Sequence, residues 1–129
     1  MVMDILEINK GLLESMHEQA YESPRLRMNY DLRTTSADTS QRMLNALLPG
    51  TEVPIHRHEE TTETVVCLCG RLEEMIYVEK EDGTFQEVSR HLLCPAEGMY
   101  GIQIPAGAWH TICVLEPSVI FEAKDGAYK

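Results

Sequence analysis

The chain has 129 residues, with 21 Asp and Glu against 11 Lys and Arg, so its formal net charge is −10 at pH 7. An anionic surface repels phosphate backbones and acidic lipid, which argues against nucleic acid or a membrane as a partner. The first residues carry no apolar leader and no segment approaches the roughly 20 apolar residues that span a membrane, so a cytoplasmic location is expected.

The N-terminal part of the chain predicts one helix. Asn9 is a good N-cap, and one apolar stripe runs over Lys10–Glu22, formed by Leu12, Leu13, Met16 and Ala20. Ser23 and Pro24 end the helix, because the residue before a proline disfavours helical geometry. The stripe indicates packing against a sheet, and His17 on the same helix is expected to be solvated.

The rest of the chain predicts short strands separated by turns. Residues 25–33 alternate polar and apolar side chains, which is typical of a half-buried strand, and residues 41–48 resume strand character after a polar loop. Further strands are predicted over 64–69, 71–79, 84–93, 100–104, 111–115 and 119–124, with breaks at Gly70, residues 82–83 and residues 116–118. About eight strands after one helix predict a mostly β protein of the double-sheet jelly-roll type.

One stretch carries residue types that bind metals. His56 and His58 are two residues apart, so on a strand their side chains point to the same side, with Cα atoms about 6 to 7 Å apart. Glu63 begins the next apolar run and would face this pair. His110 follows a Pro/Gly turn at the start of another β-type run. Three imidazoles and one carboxylate together predict a mononuclear metal site.

The same residues carry a resemblance to a known superfamily. Five residues match every fixed position of the first cupin motif: Gly50, His56, His58, Glu63 and Gly70. Three match the core of the second motif: Pro105, Gly107 and His110. The resemblance implies a cupin double-stranded β-helix (jelly-roll barrel) with one N-terminal α-helix. It also implies one divalent metal, held by the three histidines and Glu63, for which zinc, iron, nickel or manganese would each suit the mixed nitrogen and oxygen ligands.

Residues outside these motifs narrow the resemblance to the WbuC-type cupin-fold metalloproteins. The similarity covers almost the whole chain: Ser23, Pro24, Arg25, Arg27, Asn29, Gln41, Arg42, Asn45, residues 121–124, Gly126 and Tyr128. It implies metal binding and a role in bacterial surface-polysaccharide metabolism. Since the length also suits one domain, we expect a single cupin domain over residues 1–129, with a helical extension over 1–24 and a β-barrel over 25–129.

Two functions of different class fit these features. As an enzyme, the protein would be a metal-dependent isomerase, epimerase or hydrolase of a small sugar- or carboxylate-type metabolite, because a bound metal can act as a Lewis acid or activate water. As a non-catalytic module, it would capture such a ligand without changing it. Catalysis needs a general acid or base, and four residues are candidates: Tyr77, Tyr100, Glu122 and Tyr128.

A cationic strand face provides a candidate ligand site. Arg25, Arg27 and Arg33 share one face of the strand over residues 25–33, against the trend of an acidic chain. Guanidinium groups bind carboxylate or phosphate bidentately. We predict that Arg25, Arg27 and Asn29 line the mouth of the metal pocket and bind the anionic or hydroxyl-rich part of the ligand. The alternative is a solvated outer face whose arginines pair with the surplus acids.

Two further expectations concern association and the cysteines. A homodimer is predicted from the exposed strand edges of an open jelly roll and from the habit of cupins to pair. Cys67 and Cys69 share the parity of Glu63, so both are expected to face the barrel interior, as small buried hydrophobes rather than as thiolate ligands of the metal.

Overall fold

The computed structural model describes residues 4–127. It contains one helix, α1 (Lys10–Glu22), a short 3-10 turn (Pro95–Glu97) and six strands: β1 (Arg27–Asp31), β2 (Ser40–Leu47), β3 (Glu63–Glu79), β4 (Phe85–Leu93), β5 (Gly101–Ile104) and β6 (Trp109–Asp125). The prediction of a mostly β protein with one N-terminal helix is confirmed. Within this part of the chain, no helix is long and apolar enough to cross a membrane.

Helix α1 begins and ends where the sequence predicts. The Asn9 side chain accepts a hydrogen bond from the Leu12 backbone N–H at 3.0 Å, which caps the first turn. Met16 and Ala20 are fully buried against the outer face of the sheet, where they meet Leu44, Ala46 and Val119. His17 is half-buried, and its Nε2 lies 3.0 Å from the backbone oxygen of Ser118, so it contacts β6 and the expectation of a solvated ring is wrong.

All strand pairs are antiparallel, in the order β1-β2-β6-β3-β4. One edge of β3 pairs with β6, whereas its other edge pairs with β5 at residues 63–66 and with β4 at residues 72–79. This pairing curls the sheet, so that side chains from the five strands β2 to β6 share one apolar interior. That interior contains Leu47, Val65, Cys67, Leu72, Leu93, Ile104, Val114 and Ile120.

Two predicted strand breaks are wrong, which reduces the eight predicted strands to six. β3 runs through Gly70, and β6 runs through residues 116–118. Gly70 has a φ of +96°, and a Cβ at this position would lie 2.3 Å from the carbonyl oxygen of Pro117. Glycine therefore allows β3 and β6 to pass closely here, and the pairing of the two strands continues on both sides of Gly70 with a shifted register.

The bulge around Gly70, a set of three register shifts over residues 67–72, reverses which residues of β3 face the interior. Glu63 and Cys67 face inward before Cys69, and Glu74 faces inward after the bulge. Cys69 instead packs on the helix side of the sheet, so the prediction that it faces the interior is wrong. Burial raises the pKa of the Cys67 thiol to about 12, which keeps this group a neutral core thiol at physiological pH.

Candidate metal centre

Three histidines come together beside the interior of the sheet. The candidate ligand atoms of His56, His58 and His110 all lie within 4.8 Å of one another. Backbone pairing produces this convergence: the N–H of His56 donates to the carbonyl of His110 at 3.0 Å, and the N–H of His110 donates back at 2.8 Å. The loop that carries the first two histidines is therefore joined to the start of β6 by one isolated bridge, and not by a longer strand.

The ring hydrogen bonds leave nitrogen lone pairs available for a metal. Nδ1 of His56 donates to the carbonyl of Pro54, and Nδ1 of His110 donates to the carbonyl of Ala108, both at 2.9 Å. Because a carbonyl can only accept, each Nδ1 carries a proton and each Nε2 is the free ligand atom. Nε2 of His58 and Nε2 of His110 are buried and make no hydrogen bond of regular geometry to the described residues, although the Glu63 carboxylate lies close to both. This donor set fits a transition-metal ion.

Glu63, at the start of β3, lies against two of the three rings. Its Oε2 is 3.2 Å from Nε2 of His58, and its Oε1 is 3.6 Å from Nε2 of His110. Lys124, its cross-strand partner on β6, donates to Oε2 at 3.0 Å. Burial favours the neutral acid, but the two histidines and Lys124 outweigh burial and hold the pKa of Glu63 well below its usual range. Glu63 is thus anionic, as a metal ligand must be.

The histidines of this cluster differ in their affinity for protons. Burial, followed by the charges of the neighbouring histidines, lowers the pKa of His56. Burial also acts on His110, but the nearby Glu63 carboxylate outweighs it and raises the pKa of His110. Since imidazole must be neutral to bind a metal, protons compete with the metal more strongly at His110 than at His56.

A cavity of about 510 Å³ joins the cluster to the predicted ligand-binding residues. His56, Glu63 and His110 line it together with Arg27 and Asn29. These two β1 residues are cross-strand partners of Leu47 and Asn45 on β2, so they continue the inner face of the sheet. Arg25, the third predicted ligand-binding residue, is exposed and does not line the cavity.

Arg27 differs from the other arginines that line this cavity. Arg33 pairs with Asp31 at 2.7 Å, and Arg42 pairs with Asp38 at 2.6 Å. Arg27 donates to the carbonyl of Glu52 at 2.8 Å, and within residues 4–127 it makes no ion pair. Burial and the charge of Arg25 lower the pKa of Arg27, so an anion in the cavity would relieve an unfavourable environment.

The cavity also contains polar side chains outside the predicted ligand set. Asn45 donates to Oε2 of Glu122 at 2.9 Å. Burial and the charge of Glu63 raise the pKa of Glu122 to about 7. Burial and the charges of Glu63 and Glu122 raise the pKa of Glu74 well above its usual range. Asn45 and Glu122 belong to the segments that resemble WbuC-type cupins, whereas no sequence pattern indicated Glu74 as a site residue.

The four candidate acid–base residues are separated by the fold. Glu122 lines the cavity, and Tyr77 and Tyr100 do not. Tyr100 is 62% exposed and lies at a groove between β4 and β5. Tyr128 lies outside the described residues. Among the candidates that the structure describes, Glu122 is therefore the one placed to exchange a proton with a ligand in the cavity.

Several solved structures are similar to this chain. They include a conserved protein of unknown function, SPY1581, from Streptococcus pyogenes (TM-score 0.60, 15% identity), KdgF from Halomonas sp. (0.59, 16%) and the capsular polysaccharide assembling protein CapF from Staphylococcus aureus (0.65, 16%). The similarity covers 83, 82 and 83% of this chain, and 80, 84 and 30% of the other chains respectively. The chain thus spans under a third of CapF. At these identities the similarity shows the fold alone. None of the curated proteins matches the sequence.

The architecture and these structural relatives show a cupin fold of the jelly-roll type, and the donor atoms of the three clustered histidines could hold one metal ion. Helix α1 packs against the sheet, as its apolar stripe indicates. Within that class, the chain belongs to the family described as a domain of unknown function (DUF6016), whose profile matches residues 8–90.

Proposed function

We propose that this chain is a metal-dependent cupin that acts on a small sugar acid or a related carboxylate. The observation that carries the proposal is the shared cavity, because His56 and His110 of the cluster line the same space as Arg27. A volume of about 510 Å³ is in the range of small-molecule sites. The cluster alone would suit a purely structural metal, whereas a cationic group facing the same cavity suits a site that takes a ligand.

His56, His58, Glu63 and His110 are the proposed ligands of one divalent metal, which would be zinc, iron, nickel or manganese. Such a metal, when bound, supplies Lewis acidity toward a ligand oxygen. Arg27 would bind the ligand carboxylate, with Asn29 beside it at the cavity mouth. Glu122 would hold or release a proton, since its pKa of about 7 lets both protonation states exist at neutral pH.

Glu122 favours catalysis over simple capture, and the reaction classes that proton transfer beside a metal supports are isomerisation, epimerisation and hydrolysis. The resemblance to WbuC-type cupins and the similarity to CapF, a capsular polysaccharide assembling protein, support a role in bacterial surface-polysaccharide metabolism. We also propose that residues 1–129 form a single cupin domain and that the protein is located in the cytoplasm.

A paramagnetic metal tests whether the cluster and the ligand share one site. Protein loaded with Mn²⁺ should broaden the proton NMR resonances of added D-glucuronate, and His110→Ala protein should not. No broadening by the wild-type protein would contradict the proposal. The same samples distinguish the two functional classes, because new resonances over hours indicate an enzyme and an unchanged spectrum indicates a binding module.

Replacing Arg27 should weaken ligand binding without affecting the metal. Arg27→Ala is expected to keep the metal content and melting temperature of the wild type and to bind a sugar acid at least tenfold more weakly, about 1.4 kcal/mol. Arg25→Ala should cause a smaller loss, because Arg25 acts on the cavity through its charge. Calorimetric titration measures both variants, and an unchanged affinity in Arg27→Ala would exclude Arg27 from the site.

We also propose that the chain forms a homodimer. Strands β1 and β4 are the ends of the strand order, so each leaves one edge unpaired within the described residues. One chain has a mass of 14.6 kDa, and light scattering at micromolar concentration should give twice that mass. The mass of a single chain would contradict this prediction.

A further inference from the structure

The inner wall of the cavity, formed by Asn45, Glu74 and Glu122, contains polar atoms that no other residue within 4–127 satisfies. Glu74 is 2% exposed, and its Oε2 has no hydrogen-bond partner among the described residues. Asn45 is 9% exposed, and its Oδ1 is also without a partner there, although its amide group donates to Glu122. All three side chains line the same cavity. Buried polar atoms without partners are unfavourable, so these atoms point to a ligand that pairs with them.

The chemistry of the wall identifies the groups that such a ligand must present. An amide oxygen accepts hydrogen bonds, and a carboxyl group that carries its proton both donates and accepts. A hydroxyl group also does both, so it can pair with either. The oxygens of a ligand carboxylate only accept, so they cannot pair with the Asn45 amide oxygen, and the anionic Glu63 that lines the same cavity repels them. The wall therefore suits hydroxyl groups and disfavours an anion.

The opposite preference holds at Arg27, which lines the same cavity and makes no ion pair among residues 4–127. Arg27 pairs with Leu47 across β1 and β2, so Asn45 is its diagonal neighbour, at a typical separation of about 7 to 8 Å. A molecule with the size of one sugar ring can reach both positions. The cavity is thus cationic on one side and rich in acceptors on the other.

We propose that Asn45, Glu74 and Glu122 form a hydroxyl-binding wall, and that the ligand of this cavity is a hydroxylated carboxylic acid with its carboxylate at Arg27 and its hydroxyl groups against the wall. The inference rests on the proposed function, since it specifies the ligand and its orientation in the same site. It requires both ends of the ligand, because a ring without hydroxyl groups leaves the wall unpaired and a neutral sugar leaves Arg27 unpaired.

Three probes of similar ring size test this requirement by calorimetric titration: D-glucuronate, cyclohexanecarboxylate, which lacks the hydroxyl groups, and methyl glucoside, which lacks the carboxylate. D-glucuronate is expected to bind at least tenfold more tightly than either of the others. The titrations are done on metal-loaded and on chelated protein, and the order should hold in both because the wall and Arg27 belong to the chain. Equal affinities for D-glucuronate and cyclohexanecarboxylate would overturn the inference.

A wall variant separates recognition from folding. Glu74→Leu removes the unpaired polar atom, so the melting temperature should not fall, while D-glucuronate should bind at least tenfold more weakly and cyclohexanecarboxylate equally well or better. Asn45→Ala provides a second test if the leucine variant does not fold. It should reduce the difference between the affinities for D-glucuronate and for cyclohexanecarboxylate. If a folded variant kept the wild-type difference in affinity between D-glucuronate and cyclohexanecarboxylate, the proposed wall would be wrong.

The outcomes also distinguish this inference from the proposed function. If metal content depends on His56 and His110 but D-glucuronate has no advantage over cyclohexanecarboxylate, the hydroxyl wall is wrong and the metal centre stands. If metal content does not depend on these histidines, the proposed function is wrong, and the order of affinities in chelated protein decides the wall by itself.

Discussion

Replacing His110 with alanine is expected to remove the metal from the purified protein, and His56→Ala should do the same. Both rings offer an Nε2 lone pair to one centre, because each Nδ1 donates to a backbone carbonyl at 2.9 Å. Loss of one of four ligands should lower metal content from about one per chain to a small fraction, as measured by mass-spectrometric metal analysis. The matched control is His91→Ala, since His91 is exposed on β4 and contacts Ser89 at 3.0 Å. Wild-type metal content in both ligand variants would rule out this site.

Metal loss should also lower the stability of the fold. A ligand present at a hundredfold its dissociation constant adds about 2.7 kcal/mol to the free energy of unfolding. Chelated wild-type protein is therefore expected to melt at a lower temperature than metal-loaded protein, and chelator should not change the melting of His110→Ala. The metal should be released as pH falls, beginning with protonation of His110, because the Glu63 carboxylate raises the pKa of this imidazole above its usual value. Equal melting temperatures before and after confirmed metal removal would contradict a site that is coupled to folding.

Local sequence patterns were sufficient to predict several parts of this structure. Helix α1 has the predicted bounds because its cap, its apolar stripe and the proline that follows it all lie within one short segment. The predicted proximity of His56, His58, Glu63 and His110 also occurs, although two of these residues are on a loop and not on a strand. The spacing of the cupin motifs along the chain predicts that these four residues come together. Composition and periodicity alone could not predict it.

The errors arise where a close approach between distant segments determines the local geometry. Gly70 indicates a break when only its neighbours are considered, but its φ of +96° serves a bulge against residues 117 and 118 of β6. The bulge then shifts the alternation of β3. Continuing the parity of Glu63 along the strand would place Glu73 in the cavity, whereas the structure places Glu74 there. This unpredicted irregularity, three register shifts over residues 67–72, thus concealed a buried carboxyl group of the candidate site.

That buried carboxyl group should make Glu74→Gln more stable than the wild type, by an amount that increases with pH. Burial, followed by the charges of Glu63 and Glu122, raises the pKa of Glu74 far above its ordinary value of 4.5. The folded protein therefore holds the Glu74 proton more tightly than the unfolded chain does. This contribution to stability is complete below pH 4.5 and is lost as pH rises toward the pKa of the folded state. Glutamine is neutral at every pH and has no such loss.

Urea denaturation of chelated protein at several pH values between 5 and 8 measures this effect. The free-energy advantage of Glu74→Gln over the wild type should rise by up to about 1.4 kcal/mol per pH unit until Glu74 ionises in the folded protein. The control is Glu73→Gln, on the opposite face of β3, where Glu73 lies 3.6 Å from Arg90. It is expected to keep the wild-type pH dependence. An advantage of Glu74→Gln that stays constant from pH 5 to 8 would show that Glu74 ionises equally well in the folded and unfolded chain, and the hydroxyl-binding wall would then lose its proton donor at neutral pH.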